Sequence, residues 1–301
     1  MADLDPVIAD IGRRQKEAGL ADFYNNLTGP EARTIAEKAR AQFYPKPDIP
    51  VGSSTIREIP GAGGNIRVSI VRPASGEASG SVVYYHGGGW IVGDIESHSA
   101  HAARIANRAG AVVVNVDYRL APEHLFPAAV EDANVALRWA NDNIGELGGD
   151  PSKLAVAGDS AGGNLAAVAA LYARDNAIPL AAQLLIYGAT DLSQVVGPPA
   201  KIYLGSDYEQ TGRDPRASPV LAGSHEGLAP AIIGIGQHDW LYQKNLAYAG
   251  VLRKAGVDVI LREFPTLGHS FFSHTGVSKA SEDASNLISD DLRQLLHGPK
   301  A

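Results

Sequence analysis

Apolar and polar positions along the chain alternate between two patterns. Short runs rich in β-branched and aromatic residues, such as "GSVVYYHG" and "AVVVNVDY", predict buried strands, and longer stretches with helical periodicity lie between them. The later strand runs are continuously apolar, which is typical of a parallel sheet covered by helices on both faces. The pattern therefore predicts an α/β fold with a mostly parallel central sheet of about eight strands, flanked by helices.

The N-terminal part and one internal segment depart from this alternation. Residues 1–50 predict two amphipathic helices, at about 3–18 and 30–43. "TIREIPGAGGNIRVSIVRP" predicts two strands around a glycine-rich hairpin, so the start of the sheet is expected to be antiparallel. Residues 191–217 fit neither pattern, which indicates an inserted segment that lies outside the sheet. We expect the helices of 1–50 and the short insert at 191–217 to form a lid over the main domain at 51–301.

Composition removes several classes of protein. The chain has 301 residues and no cysteine, which excludes a disulfide scaffold, thiolate zinc and iron–sulfur sites and a cysteine nucleophile. The net charge of −7 and the lack of a Lys/Arg run argue against a nucleic-acid partner. Because no apolar stretch resembles a signal peptide or a membrane span, we expect a cytoplasmic protein with no membrane partner. The "NLT" glycosylation sequon at Asn26 is then not expected to be used.

A G-x-S-x-G pentapeptide, "GDSAG" at 158–162, stands where a strand pattern changes into a helix pattern. A serine on such a tight turn is held in a strained backbone and exposed above the sheet edge. The free N–H groups at the start of the following helix, that of Ala161 included, favour a developing negative charge. We interpret Ser160 as a nucleophile. The alternative is a helix N-cap serine in a glycine-rich turn.

Three consecutive glycines in "HGGGW", residues 86–90, follow the strand run "SVVYY". Glycines at this position leave backbone N–H groups free to point into an open site. Two such donors and the N–H of Ala161 would form an oxyanion hole. The alternatives are a phosphate-binding loop or a flexible turn, although a Walker loop would need a Gly-Lys-Ser/Thr sequence that is absent.

A serine nucleophile needs a base, and the base needs an acid. In sheets of this type the order along the chain is serine, acid and histidine, each after a later strand. Asp239 follows the strand run "APAIIGIG", and His269 follows "VDVILREF", so both are expected at the sheet edge that carries Ser160. The alternative bases and acids are His274, His297, Asp191 and Asp214.

With these pieces, the chain resembles the hormone-sensitive-lipase family of α/β-hydrolases, in the group of bacterial carboxylesterases. The resemblance rests on "HGGGW", "VDYRLAPEHLFPAAVED", "GDSAGGNLA", "DPRASP", Asp239 and His269. It implies an α/β-hydrolase fold with a helical cap. It also implies Ser160 as nucleophile and Gly88, Gly89 and Ala161 as oxyanion donors.

The resemblance also implies an activity. The expected function is hydrolysis of short- to medium-chain acyl esters through a serine acyl-enzyme, without a cofactor. Action of the same triad on a lactone, carbamate or amide is the alternative, and a non-catalytic small-molecule receptor is a third possibility. The expected partner is a small-molecule ester. By analogy, a homodimer would form through the last strand and helix.

The chain departs from the family pattern at three places. "HDWL" stands where the family has Asp-Pro-Leu, so Trp240 either alters the pocket wall or starts a helix. "GHSFF" replaces the usual His-Gly-Phe, and the insert at 191–217 is short. A thin cap would leave the site open, which bears on acyl-chain preference.

Other polar and aromatic residues receive structural interpretations. We expect Asp117, Arg119 and Glu123 to form an ion network behind the oxyanion loop, and Asp159 to be a supporting hydrogen-bond partner. His98 and His101 have metal-like spacing on a helix, but we expect no third ligand nearby and therefore no metal. Five aromatic residues are candidates for a pocket wall but are assigned to the core. They are Phe23, Tyr24, Trp90, Phe271 and Phe272.

Overall fold

An eight-stranded sheet forms the centre of the structure, a computed structural model that describes residues 2–21, 29–194 and 197–298. The strand order is β1-β2-β4-β3-β5-β6-β7-β8. The pairs β1–β2 and β2–β4 are antiparallel and all others are parallel. The strands are β1 (Ser53–Ile59), β2 (Ile66–Arg72), β3 (Gly80–Tyr85), β4 (Ala111–Asp117), β5 (Leu154–Asp159), β6 (Ala182–Ile186), β7 (Ala231–Gly236) and β8 (Val259–Phe264). The predicted mostly parallel sheet is thus confirmed.

Burial explains the two kinds of strand sequence. Every residue of β3, β5, β6 and β7 is buried, because helices cover both faces of the sheet there. Most of β1 is exposed at the antiparallel edge, and its sequence is accordingly more polar. The continuous apolar runs therefore mark the centre of the sheet, where the candidate nucleophile lies at the end of β5.

Helices cover the two faces of the sheet and define two cores. Buried residues of α3 and α9 pack on one face, and those of α4, α5 and α8 pack on the other. The helices are α1 (Pro6–Glu17), α2 (Gly29–Phe43), α3 (Ser99–Ala109), α4 (Ala128–Asp142), α5 (Ala161–Asp175), α6 (Pro198–Leu204), α7 (Tyr208–Thr211), α8 (Tyr242–Lys254) and α9 (Lys279–His297). Within the described ranges, no helix is long and apolar enough to cross a membrane.

The N-terminal segment is attached to the loop that follows β8. Asp5 caps α1 by accepting hydrogen bonds from the N–H groups of Val7 and Ile8 at 2.9 and 3.2 Å. Its own N–H donates to the carbonyl of Thr266 at 2.8 Å, and its carboxylate accepts from the Ser278 hydroxyl at 3.1 Å. The start of the chain is therefore held beside the segment that carries His269.

The insert at 191–217 contains α6 and α7 and packs against the segment that follows β3. The Tyr203 ring of α6 stacks on the Trp90 indole, with ring centroids 4.5 Å apart and planes 4° apart. From the N-terminal segment, Arg33 of α2 donates to the carbonyl of Ile91 at 2.9 Å. Both predicted lid segments thus contact the chain just after the three glycines. Phe23, Tyr24 and Asn26 lie outside the described residues.

Asp117, Arg119 and Glu123 all form structural ion pairs, as expected from the sequence, but the three pairs do not join into one network. Asp117 is the last residue of β4, and Arg119 and Glu123 lie in the loop that follows, but the three side chains pair with different neighbours and not with one another. Their closest partners are Arg67 at 3.1 Å for Asp117, Asp132 at 2.8 Å for Arg119, and Arg33 at 2.6 Å for Glu123. The three charges therefore tie three separate elements to this loop.

Candidate active site

Ser160 occupies a strained turn between β5 and α5. Its φ of 53° and ψ of −113° lie in a region that non-glycine residues rarely adopt. The turn is held by the Ser160 N–H, which donates to the carbonyl of Ile186 in β6 at 2.9 Å. Ser160 stands at the N-cap position of α5, but its side chain makes no capping hydrogen bond to the helix, so a capping role does not account for this serine.

Two glycines allow the strand, the turn and the helix to approach one another closely. A Cβ at Gly162 would lie 1.9 Å from the carbonyl oxygen of Tyr85 in β3. A Cβ at Gly158 would lie 2.2 Å from the carbonyl oxygen of Gly162. No side chain fits at either position, which explains why the serine is flanked by glycines.

His269 and Asp239 extend a continuous hydrogen-bonded line from Ser160. The Ser160 Oγ lies 2.9 Å from His269 Nε2, and His269 Nδ1 lies 2.8 Å from Asp239 Oδ2. A carboxylate accepts hydrogen bonds only, so Nδ1 carries the proton and Nε2 is left to accept from the serine hydroxyl. Asp239 is 6% exposed, and its other oxygen accepts from the Leu241 N–H at 2.7 Å.

The ends of β7 and β8 bring the histidine and the acid together. Asp239 follows β7 and His269 follows β8, and the two strands pair in parallel. A Cβ at Gly236 would lie 2.2 Å from the carbonyl oxygen of Leu267, so the two loops are in close contact. The His238 N–H also donates to that carbonyl, at 3.0 Å. All three predicted side chains consequently meet at one edge of the sheet.

The three glycines lie beside this line. Gly88 and Gly89 have φ values of 121° and 61°, and a Cβ at Gly88 would lie 2.0 Å from the carbonyl oxygen of Val92. The preceding Gly87 donates its N–H to Asp159 Oδ1 at 2.8 Å. The glycine loop is therefore anchored directly to the residue before Ser160, while Ala161 forms the first residue of α5.

Asp159 belongs to a buried polar cluster behind the glycine loop. Its Oδ1 accepts from the Tyr84 hydroxyl at 2.5 Å, and that hydroxyl lies 3.0 Å from His101 Nδ1. Burial raises the pKa of Asp159 to about 6 and lowers the pKa of His101 to about 3. The cluster thus favours a neutral imidazole, and Asp159 has the supporting contacts expected from the sequence.

The expectation that His98 and His101 have no third partner is wrong. Asp159 completes a buried group whose candidate ligand atoms all lie within 4.8 Å of one another, because β5 brings it against α3. His98 Nε2 lies 4.0 Å from Asp159 Oδ1. That oxygen already accepts two hydrogen bonds, from Tyr84 and Gly87, so hydrogen bonding accounts for the arrangement.

The alternative bases and acids lie elsewhere and have other partners. His297 Nε2 lies 2.8 Å from the carbonyl oxygen of Ala109, and burial lowers the pKa of His274 to about 4. Asp191 and Asp214 accept hydrogen bonds from neighbours two residues along the chain. Among the described contacts, none of the four joins the line from Ser160.

The aromatic candidates divide between core and site. Trp90, Phe271 and Phe272 are buried, as expected for core residues. Trp240, whose role the sequence left open, is 74% exposed, and its ring centroid lies 4.1 Å from that of His269. The buried ring of Tyr187 lies 4.9 Å from the same imidazole. Sequence reasoning missed Tyr187; its place directly after β6, at the same sheet edge, was the available signal.

Comparison with known proteins connects this geometry to a family. Residues 82–273 match the protein family described as "alpha/beta hydrolase fold". The carboxylesterase NlhH of Mycobacterium tuberculosis is 42% identical over 235 residues, which cover 72% of this chain and 74% of the relative. An arylesterase of Saccharolobus solfataricus is 32% identical over 294 residues, covering 92% of this chain and 94% of the relative.

A solved structure agrees with these sequence matches. The hyperthermophilic esterase from the archaeon Pyrobaculum calidifontis has a TM-score of 0.87 and 36% sequence identity, and the match covers 98% of this chain and 99% of that chain. The chain belongs to the α/β-hydrolase family. Its resemblance to the hormone-sensitive-lipase type is confirmed, and the three relatives are all esterases by name.

Proposed function

We propose that this ester hydrolase cleaves short- to medium-chain carboxylic esters through an acyl-enzyme on Ser160. The observation that carries the proposal is the line of two hydrogen bonds, at 2.9 and 2.8 Å, from Ser160 through His269 to Asp239. Residues separated by 109 and 30 positions meet in the order that general-base activation of a serine requires.

In the first half-reaction, Ser160 Oγ attacks the ester carbonyl carbon while His269 Nε2 takes the hydroxyl proton. The imidazolium that forms is stabilised by the carboxylate of Asp239. His269 then gives the proton to the alkoxy oxygen, the carbon–oxygen bond breaks, and the alcohol leaves. The acyl group remains on Ser160 as an ester.

The negative charge of the tetrahedral intermediate falls on the former carbonyl oxygen. We assign its stabilisation to the backbone N–H groups of Gly88, Gly89 and Ala161, which would donate to this oxygen. The anchoring of the loop by Asp159 supports this assignment, because donors held in place before reaction need little reorganisation. Water then repeats the sequence on the acyl-enzyme and releases the carboxylic acid.

We further propose that residues 1–50 and 191–217 form the cap. The contacts of α2 and α6 with the segment after the glycine loop support this role. A lactone, carbamate or amide would pass through the same chemistry up to the acyl-enzyme. A substrate panel with acyl chains from two to twelve carbons separates these classes and tests the chain-length assignment.

The decisive variant for the nucleophile is Ser160→Ala, assayed with p-nitrophenyl butyrate. We expect turnover to fall by roughly 10⁴-fold or more, because no other group can form the acyl ester. Ser152→Ala, at an exposed turn serine, is the matched control and should retain full activity. Substantial turnover by a folded Ser160→Ala protein would contradict the proposal.

A further inference from the structure

Trp240 combines two properties that apolar side chains rarely share. It is the most exposed large hydrophobic residue in the part of the chain that the structure describes, at 74%. Its ring also lies against the imidazole of His269, with centroids 4.1 Å apart and planes 31° apart. An exposed indole that touches the general base is available to contact whatever reacts there.

The backbone around Trp240 holds the indole in this place. Asp239 donates its N–H to the carbonyl of Gly236 at 3.1 Å and accepts from the N–H groups of Leu241 and Tyr242 at 2.7 and 3.0 Å. These bonds fix a turn that leads into α8, with Trp240 at its centre. The turn therefore carries both the acid and Trp240, and the indole lies against the imidazole of His269.

The chemistry of ester cleavage determines which part of a substrate lies here. His269 Nε2 delivers a proton to the alkoxy oxygen, so that oxygen must come within hydrogen-bond reach of the imidazole. The group attached to the oxygen must then lie alongside the same ring. Tyr187 occupies a buried position against the imidazole, whereas Trp240 is exposed to solvent.

We propose that Trp240 forms the subsite for the alcohol portion of the ester and selects esters of planar aromatic alcohols. The proposal rests on the function proposed above and adds the class of leaving group. A benzyl or similar ring would stack on the exposed surface of the indole. The stacking would exclude water from the indole surface and from the ring surface that faces it. Stacking adds to the gain from apolar burial. Together they correspond to about a tenfold higher kcat/KM for a benzyl ester than for an ethyl ester.

The test compares benzyl acetate with ethyl acetate. Both esters give the same acetyl-enzyme, so any difference in kcat/KM arises in binding and acylation, where the alcohol is still present. We expect Trp240→Ala to lower the benzyl/ethyl ratio of kcat/KM by about tenfold, and Trp240→Phe to keep most of it. Ile56→Ala, which shortens another exposed apolar side chain on β1, is the matched control and should leave the ratio unchanged.

An unchanged benzyl/ethyl ratio of kcat/KM in Trp240→Ala would overturn the subsite. If kcat/KM then falls equally on both esters, the indole acts only through His269; if it falls on neither, the indole has no role in the reaction. Ser160→Ala, assayed on the same two esters, distinguishes a failure of the proposed subsite from a failure of the proposed function. If hydrolysis depends on Ser160 but the ratio does not depend on Trp240, the subsite fails alone; if hydrolysis does not depend on Ser160, the proposed function itself fails.

Discussion

Single side chains around Ser160 determine how the glycine loop is held. Asp159 accepts hydrogen bonds from both Gly87 and Tyr84 on one buried oxygen. Removing that acceptor leaves the buried N–H of Gly87 without a partner, which costs about 1–3 kcal/mol, and leaves His101 Nδ1 as the hydrogen-bond partner of the Tyr84 hydroxyl. The loop that carries Gly88 and Gly89 would lose its anchor at the same time.

We therefore expect Asp159→Ala to lower kcat/KM for p-nitrophenyl butyrate by roughly 10–100-fold, because a loosened donor no longer fits the oxyanion. Asp159→Asn keeps an oxygen at the same position and should retain most of the activity. Kinetics of the two variants, with urea unfolding to show that both are folded, checks this expectation. A folded Asp159→Ala protein with wild-type kcat/KM would show that the anchor has no catalytic effect.

The contact between β3 and α5 determines where Ser160 lies. Gly162 lies so close to β3 that its Cα faces the carbonyl of Tyr85. Because protein interiors are close-packed, an added methyl group must push the helix away from the strand. Ser160, two residues earlier, would move with it.

Gly162→Ala should lower the free energy of unfolding by about 2 kcal/mol or more and abolish most activity. Gly250→Ala is the matched control. Gly250 lies in α8, and no atom lies within 4 Å of the position that a methyl group would take there, so alanine should raise stability by up to about 1 kcal/mol. Urea unfolding of both variants measures the difference. A Gly162→Ala protein as stable and active as the wild type would show that the close approach is not needed.

Some of these features could be predicted from the sequence and others could not. The apolar runs predict β3 to β8, and their order alone brings Asp239 and His269 to the edge that carries Ser160. The partners of Asp159 could not be predicted, because Tyr84 and Gly87 are 75 and 72 positions away and the side-chain direction of Asp159 depends on packing. For the same reason, the sequence could not show that Asp117, Arg119 and Glu123 form ion pairs with three different elements.

Several buried histidines and carboxyl groups make the stability of the protein dependent on pH. Burial lowers the pKa of His86 to about 4 and that of His101 to about 3, and lowers the pKa of His98 well below its ordinary value. These imidazoles are neutral in the folded state but bind protons below about pH 6.5 in the unfolded state. Their contribution is complete above that pH and is lost as the pH falls towards 3–4.

Two buried carboxyl groups act in the opposite direction. Burial raises the pKa of Asp117 and of Asp159 to about 6, so the folded state holds these protons more tightly between about pH 4 and 6. Each carboxyl offsets part of the loss, but the imidazoles have the larger shifts. We expect the free energy of unfolding to fall by on the order of 3 kcal/mol between pH 7.5 and 5.0.

Urea unfolding at these two pH values measures the change. His101→Gln should reduce the pH difference, because it removes one buried titrating group from the folded state. His238→Gln, at an exposed histidine, is the control and should leave the difference unaltered. A protein that is more stable at pH 5.0 than at 7.5 would show that the carboxyl groups dominate.

Labelling with a fluorophosphonate probe, followed by peptide mass spectrometry, tests whether His269 activates Ser160 as the nucleophile. The probe reacts only with a serine whose hydroxyl is activated, so it reports the coupling of Ser160 to His269 rather than the fold. We expect a single adduct on Ser160 in the wild type, and labelling slowed by several orders of magnitude in His269→Ala, where the serine is intact. An adduct on another serine, or equal labelling rates in the two proteins, would contradict the account.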